Sequence, residues 1–318
     1  MPSSLVTNRF VGSSRAEVAF PFRQQSNRGG RVRLTVAYNP KAGSQGWPKG
    51  AIAERLRAAG HEPALVSSKS DWKDALEAPT DAFVAAGGDG TVHKLARALA
   101  STGRPLAILP LGTANNLARA FGHAPGSDPF ARTHFWGERE RTLLIECARS
   151  GEESLPFLEV MGAGAFARLL VGDDGKKRHH PLASLMAARR LLLDRVMDGP
   201  VLEAEAELDG HSVAGRFVLL ACLRTPSFGP ALWLAPEQRP DAETLSLVGV
   251  RNDQRDVFAW WLATGEGDVR SFDLGTGNRI TLTVAGPVHV DDRVLEEEGK
   301  ARRTVAVGGN ATTVRVFV

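Results

Sequence analysis

Five consecutive residues, Gly87-Gly88-Asp89-Gly90-Thr91, carry the clearest chemical signal in the chain. Glycine tolerates positive φ and lets a ligand approach the backbone closely. Successive N–H groups exposed in this way converge into a nest for an anion, and a helix starting behind them adds its partial positive charge. Asp89 offers a negative group to a metal ion or a ligand hydroxyl, and Thr91 a hydroxyl at the helix start. The combination makes a cradle for phosphate oxygens; a tight strand-to-helix turn capped by Thr91 is the competing reading. A second stretch, Pro110-Leu111-Gly112-Thr113-Ala114-Asn115-Asn116, also joins a strand to a helix. Gly112 and Thr113 can repeat the cradle, and Asn115 and Asn116 can donate or accept hydrogen bonds, unless Thr113 or Asn115 is an ordinary N-cap. The third stretch, Asn39-Pro40-Lys41-Ala42-Gly43-Ser44, is by itself a polar loop.

The elements that must hold these loops alternate. Residues 32–38, 63–66, 81–86 and 106–109 read as apolar strands. Residues 51–59, 71–77, 91–100 and 114–120 read as helices, with Ser70 a plausible N-cap and Gly60 and Gly122 as terminators. Such a βαβα order implies a parallel sheet flanked by helices, whose ligands sit beyond the carboxyl ends of the strands. All three loops fall at that edge. After residue 135 the texture changes to strands near 141–148, 156–161, 201–208, 215–223, 244–250, 279–285, 287–290, 303–307 and 312–318, several with period-two alternation. The expected fold is therefore an α/β nucleotide-binding domain over 31–135 and a β-sandwich substrate domain over 136–318, the last strand returning to the first domain. Residues 1–30, rich in Ser, Gln, Asn and Arg, read as a disordered tail.

Composition narrows the function. The net charge is +3, and residues 1–30, with four arginines against one glutamate, account for all of it. A neutral body argues against extended binding to nucleic-acid backbone. The longest apolar run, 217–223, is far below the ~20 residues a spanning helix needs. With no apolar signal segment, the expectation is a cytoplasmic protein that meets lipid only at the inner membrane face. Cys147 and Cys222 form no CxxC pair and read as reduced core residues. There is no GxxxxGK[ST], zinc spacing or GxSxG elbow. Gly162-Ala163-Gly164-Ala165-Phe166-Ala167 matches a loose GxGxxA, but no acid follows at the distance dinucleotide binding needs; a close helix–strand contact is the better reading.

Together, the three loops resemble those of the diacylglycerol kinase catalytic family, which includes sphingosine, ceramide and bacterial lipid kinases. That family shows an NPxxG-type loop, then GGDGT, then a PLGTxND-like loop, in this order and spacing. The resemblance runs on through Phe228-Gly229-Pro230 and Leu234-Ala235-Pro236. It implies an ATP- and Mg²⁺-dependent transfer of the γ-phosphoryl group to a lipid hydroxyl, diacylglycerol-like, in the cleft between the two domains. It carries Asn39, Gly43, Gly87, Gly88, Gly90, Thr91, Gly112, Thr113 and Asn115 over as nucleotide contacts. Asp89 would sit near the phosphates or Mg²⁺, and Asp291, at the place of the family's DGE motif, would be the general base. Several positions depart from the pattern: Asp292 and Arg293 follow Asp291, His93 and Lys94 stand where Asn-Glu is frequent, Asn116 replaces an Asp, and the Asp-Gly-x-Leu-Asp pattern is largely lost over 240–246. An NAD kinase, which shares GGDGT, and a non-catalytic nucleotide- or lipid-binding relative are the alternatives. Residues 176–195 have the pattern of a basic interfacial helix or of a helix packed on the β-rich domain.

Overall fold

A computed structural model describes residues 31–42, 46–69, 72–100, 102–171, 181–295 and 302–318, with the backbone alone for 181–184. Gly43, Ser70, Lys176, Lys177, Arg178, the side chain of Leu182 and the whole 1–30 stretch lie outside it. The chain alternates first: β1 (Arg33–Tyr38), α1 (Lys49–Ala58), β2 (Glu62–Ser67), β3 (Ala82–Gly87), α2 (Asp89–Leu99), β4 (Leu106–Pro110) and α3 (Asn116–Ala120). Then strands dominate: β5 (Glu140–Ser150), β6 (Glu153–Phe157), β7 (Val160–Gly164), α4 (Ala165–Val171), α5 (Pro181–Asp198), β8 (Leu202–Leu208), β9 (His211–Leu223), β10 (Ser227–Phe228) and β11 (Leu232–Trp233). The remainder is β12 (Leu245–Arg251), α6 (Arg255–Thr264), β13 (Asp273–Gly277), β14 (Arg279–Val284), β15 (Val288–Val290), β16 (Arg293–Leu295), β17 (Arg303–Gly308) and β18 (Thr312–Phe317).

β2, β1, β3 and β4 pair in parallel in that order. β3 is buried at every position, as a strand covered by helices on both faces must be. The order reverses direction between β1 and β3, so a crevice opens beyond their carboxyl ends, at Asn39 and Gly88. The helix after β3 begins at Asp89, two residues before the sequence pattern suggested, so Asp89, Gly90 and Thr91 form its first turn. The helix expected over 71–77 is a 3-10 turn, Asp74–Glu77.

The C-terminal region is antiparallel. β8, β9, β14 and β17 place alternate side chains in one core with Phe157, Met161, Leu245 and Leu247, so the sheet curls over a single apolar interior. The opposite face of β9 packs with Phe166, Leu192, Val196 and Phe258 from α4, α5 and α6. β18 lies parallel to β4 and antiparallel to β5, while the far end of β5 pairs with β6 and β17. The long strand β5 thus joins the two sheets, and residues 31–318 form one compact unit. One expectation fails here. Cys147 is exposed rather than in the core, because it points away from the face on which its neighbours Glu146 and Ala148 are buried; Cys222 is buried as expected.

Candidate functional site

Two of the three loops meet backbone to backbone. A Cβ built on Gly112 would lie 2.3 Å from the Cα of Gly88. No side chain fits between them, which explains glycine at both positions without invoking positive φ. A Cβ on Gly87 would strike the Thr91 hydroxyl, at 2.3 Å. The Asn39 N–H donates to the Ala86 carbonyl at 2.9 Å, which keeps the first loop at the same edge. Its side-chain oxygen accepts from the Lys41 N–H at 3.1 Å, closing a local turn. Asn39, Gly87, Gly88, Gly90, Thr91, Gly112 and Thr113 are therefore brought to one place.

Asn115 is used differently from the expectation. It sits at φ 50°. Its side-chain oxygen accepts from the Gly112 N–H at 3.0 Å and its amide donates to the Gly112 carbonyl at 2.8 Å. The side chain shapes the loop from inside, and αL is a conformation that Asn adopts readily. Asp89 also has a structural partner. Its Oδ1 accepts the N–H of Leu117 at 3.0 Å, pinning α3 to α2. Its Oδ2 has no hydrogen bond to a described residue.

Beside Asp89 lies a buried charged cluster of which sequence reasoning found only Asp89 and Asp291. Asp89, His93 and Arg97 lie on one face of α2 at spacings of four. His93 Nε2 meets Glu159 Oε2 at 3.2 Å, with both side chains at 5% exposure. Arg97 donates to Asp291 at 3.0 Å and to Asp292 at 3.3 Å. Asp291 occupies the two-residue turn between β15 and β16 at φ 52°. Its fully buried carboxylate also accepts the N–H groups of Leu158, Glu159 and Val160, at 3.1, 2.9 and 3.2 Å. So the residue expected as a general base has both oxygens engaged. Burial pushes the Glu159 carboxyl up to about 7; the hydrogen bond from His93 opposes this, and the charges of Asp89 and Asp291 add to it. Burial pulls His93 down, but the negative charge of Asp291, the contact with Glu159 and the charge of Asp89 outweigh it and hold the ring protonated at neutral pH. These pairings are remote in sequence; the only local signal was His93 in place of a frequent Asn.

Asn116 is the third tie. It is buried, accepts from the Ser227 hydroxyl at 2.9 Å and donates to the Gly229 carbonyl at 3.0 Å. The segment 240–246 is held too: Arg141 grips Asp241 with two hydrogen bonds at 3.0 Å. The GxGxxA segment makes a close backbone contact, although with a strand and not a helix. A Cβ on Gly162 would lie 2.7 Å from the Leu220 carbonyl of β9. Beside the Gly112 loop opens a cavity of about 530 Å³, walled by Trp47, Arg119, His123, Pro125, Pro129 and Leu185. That is within the usual range for a small-molecule site.

Residues 33–143 match the family model of the diacylglycerol kinase catalytic domain. The resemblance holds. A diacylglycerol kinase of Bacillus subtilis is 27% identical over 222 residues, 64% of this chain and 69% of that one. A diacylglycerol kinase of Mycobacterium tuberculosis is 37% identical over 186 residues, 55% of this chain and only 57% of the relative's length. A crystal structure of a diacylglycerol kinase from Bacillus anthracis superposes with a TM-score of 0.59 at 19% identity, covering 90% of this chain and 96% of that one. The last likeness speaks for the fold alone. It places this α/β part and antiparallel region in the architecture of the diacylglycerol kinase relatives.

Proposed function

We propose that the protein is an ATP-dependent lipid kinase, transferring the γ-phosphoryl group to the hydroxyl of a diacylglycerol-like lipid at a membrane surface. The contact of Gly88 with Gly112 carries this reading: it fuses two glycine-rich loops into one concave floor at the crevice between β1 and β3. Phosphates on that floor face the first turn of α2 and its positive end. Phosphoryl transfer is mostly positioning and charge neutralisation, which backbone N–H groups on a rigid floor supply. Mg²⁺ bound through substrate phosphates and water commonly takes only one or two protein carboxylates. The free oxygen of Asp89 fits that need, and among the described residues no cluster of three or more ligating side chains competes for the ion.

The proton of the acceptor hydroxyl needs a carboxylate. Asp291 serves as that base, as the resemblance implies, once Arg97 releases it. The saturation of Asp291 favours a second reading in which Glu159, whose carboxylate is bonded among the described residues only to His93, accepts the proton. A base that titrates near the working pH is well matched to this task.

The membrane part of the reading is supported by the surface. Among the described residues, six of the seven exposed large hydrophobic side chains lie on α4, α5 and α6: Val171, Met186, Leu191, Met197, Val257 and Trp260. Leu192 and Val196 bury the other face of α5, so the helix both packs on the antiparallel region and offers apolar groups outward. No helix of the described residues is long and apolar enough to cross a membrane.

The test is transfer of label from γ-³²P ATP into a total lipid extract, with the product identified by chromatography. A labelled phospholipid from the wild type, and none from Asp89→Ala, is expected. No labelled lipid from folded wild type would sink the kinase reading. Comparing Asp291→Asn with Glu159→Gln assigns the base: the larger loss in kcat, with nucleotide affinity kept, marks it.

A further inference from the structure

One arginine lines the cavity with no acid paired to it, and a second lies close enough to repel it. Arg119 projects from α3 and lines the cavity. Its guanidinium lies 5.2 Å from the centre of the Trp233 ring. Burial lowers its affinity for the proton, and the positive charge of Arg189 lowers it further, against a smaller opposing pull from Asp89. Among the described residues no group accepts a hydrogen bond from the Arg119 guanidinium, and its Nε is buried with no partner. Arg189, on α5, is half-buried as well. It spends its Nε on the Pro230 carbonyl at 3.1 Å and its Nη2 on the Ala231 carbonyl at 2.9 Å, which leaves Nη1.

This is an electrostatic arrangement that folding alone does not favour. A half-buried cation normally finds a carboxylate or a set of carbonyls, because desolvating it unpaired is costly. Three other arginines of this chain follow that rule: Arg224 pairs with Glu146, Arg97 with Asp291, and Arg141 with Asp241. Arg119 is held in place by an aromatic face and by the short helix that Asp89 pins. It is therefore a fixed positive group, set two residues beyond the amide that binds Asp89. The same cavity is walled by Gly112 and Thr113 of the second glycine-rich loop. Arginine's planar fork suits phosphate oxygens, and bidentate pairing would satisfy the donors that the protein leaves unused.

We propose that Arg119, backed by Arg189, is the anion-binding group of this cavity and takes the oxygens of a phosphate-bearing ligand. The proposal rests on the kinase reading only for the source of that phosphate, which is either the polyphosphate of a nucleotide or the phosphate of a lipid headgroup. The repulsion between the two guanidinia is relieved when the anion enters.

Calorimetric titration of the full chain with inorganic tripolyphosphate, and separately with vesicles of phosphatidylcholine with or without phosphatidate, tests this. Arg119→Gln should weaken the binding of one of these probes by about tenfold or more, Arg189→Gln should weaken it less, and Arg119→Lys should recover part of the loss. Loss confined to tripolyphosphate assigns the nucleotide's phosphates; loss confined to phosphatidate vesicles assigns the lipid's. Arg190→Gln, an exposed neighbour paired with Asp194, should bind like the wild type. The proposal is overturned if Arg119→Gln binds both probes as the wild type does, or if the wild type binds neither. Thermal unfolding of each variant separates loss of site from loss of fold. A chain that binds anions through Arg119 but labels no lipid keeps this site and loses the kinase reading.

Discussion

The two sides of the cleft are built on opposite physical plans. The floor is glycine and backbone: Gly87 and Gly112 leave no room for a Cβ, Gly88 leaves little, and two loops touch through their main chains. The other side is a wall of buried charge: His93 pairs with Glu159, and Asp291 accepts from Arg97 and three backbone amides, while His93 Nδ1 and Arg97 Nε stay unpartnered among the described residues. The floor is destroyed by adding atoms, the wall by removing them. A floor of backbone keeps its donors free for a ligand, whereas the wall has consumed most of its own.

The wall should break hardest. Asp291→Ala leaves three buried amides without their acceptor and Arg97 with Asp292 alone, and losing one partner of such a buried set costs about 3–5 kcal/mol. Urea unfolding should show this loss. Asp291→Asn keeps one acceptor oxygen and should cost clearly less. Equal stability of Asp291→Ala and the wild type would mean that the network does not hold the wall. On the floor, Gly112→Ala drives a methyl to 2.3 Å from the Gly88 Cα and 2.8 Å from the Asn115 side-chain oxygen. Overpacking of this kind costs about 1–3 kcal/mol, and nucleotide binding should fall by about a hundredfold as the loops part. Gly90→Ala is the control, since a methyl there meets nothing within 4 Å. Its unfolding midpoint should hold or rise, because alanine suits a helix better than glycine.

The floor was legible in the sequence and the wall was not. Glycine runs between a strand and a helix signal their geometry locally, so Gly87 to Thr91 and Pro110 to Asn115 were found from types and spacing. The wall is made by contacts between residues far apart: His93 to Glu159 spans 66 positions and Arg97 to Asp291 spans 194. No local pattern marks Glu159, which lies between an apolar Leu158 and Val160. Asp291 was found through resemblance, but its saturation by Leu158, Glu159 and Val160 amides depends on how β7 meets β15. Asn115 carries a second task that its type did not announce: its side chain braces the Gly112 loop from the αL backbone at that position, while the residue still lines the cavity.

The wall also predicts a pH dependence that the floor lacks. His93 rises from 6.5 to about 9 in the folded protein, facing Glu159, Asp291 and Asp89. Its contribution to stability is therefore complete below 6.5 and is lost as the pH rises through about 9. Glu159, raised from 4.5 to about 7, works in the same direction: its share is full below 4.5 and lost as the pH rises through about 7. His123 and His289, held near 4 by burial, act oppositely and reduce stability as the pH falls from 6.5 through about 4. The urea midpoint should thus decline between pH 6.5 and 9, and His93→Gln should flatten that decline. An unchanged slope in His93→Gln would remove the ring from the network.

The smallest expected effect sharpens the comparison most, because it concerns the joint between floor and wall. Asn116 lies one residue after the floor's second loop and reaches Ser227 and Gly229 of the antiparallel region. Asn116→Asp restores the acid that the family resemblance expects, and its oxygen still accepts from Ser227. It loses the amide donor to Gly229, however, and sets a carboxylate against that carbonyl. One lost hydrogen bond in a buried place is worth about 1 kcal/mol, with the facing oxygens adding to it. The loss of stability should be near that value, while nucleotide affinity, since Asn116 itself braces Ser227 and Gly229, should stay within about twofold. A large fall in nucleotide affinity with little change in stability would instead show that Gly229 helps to place the floor, so that the two sides act as one.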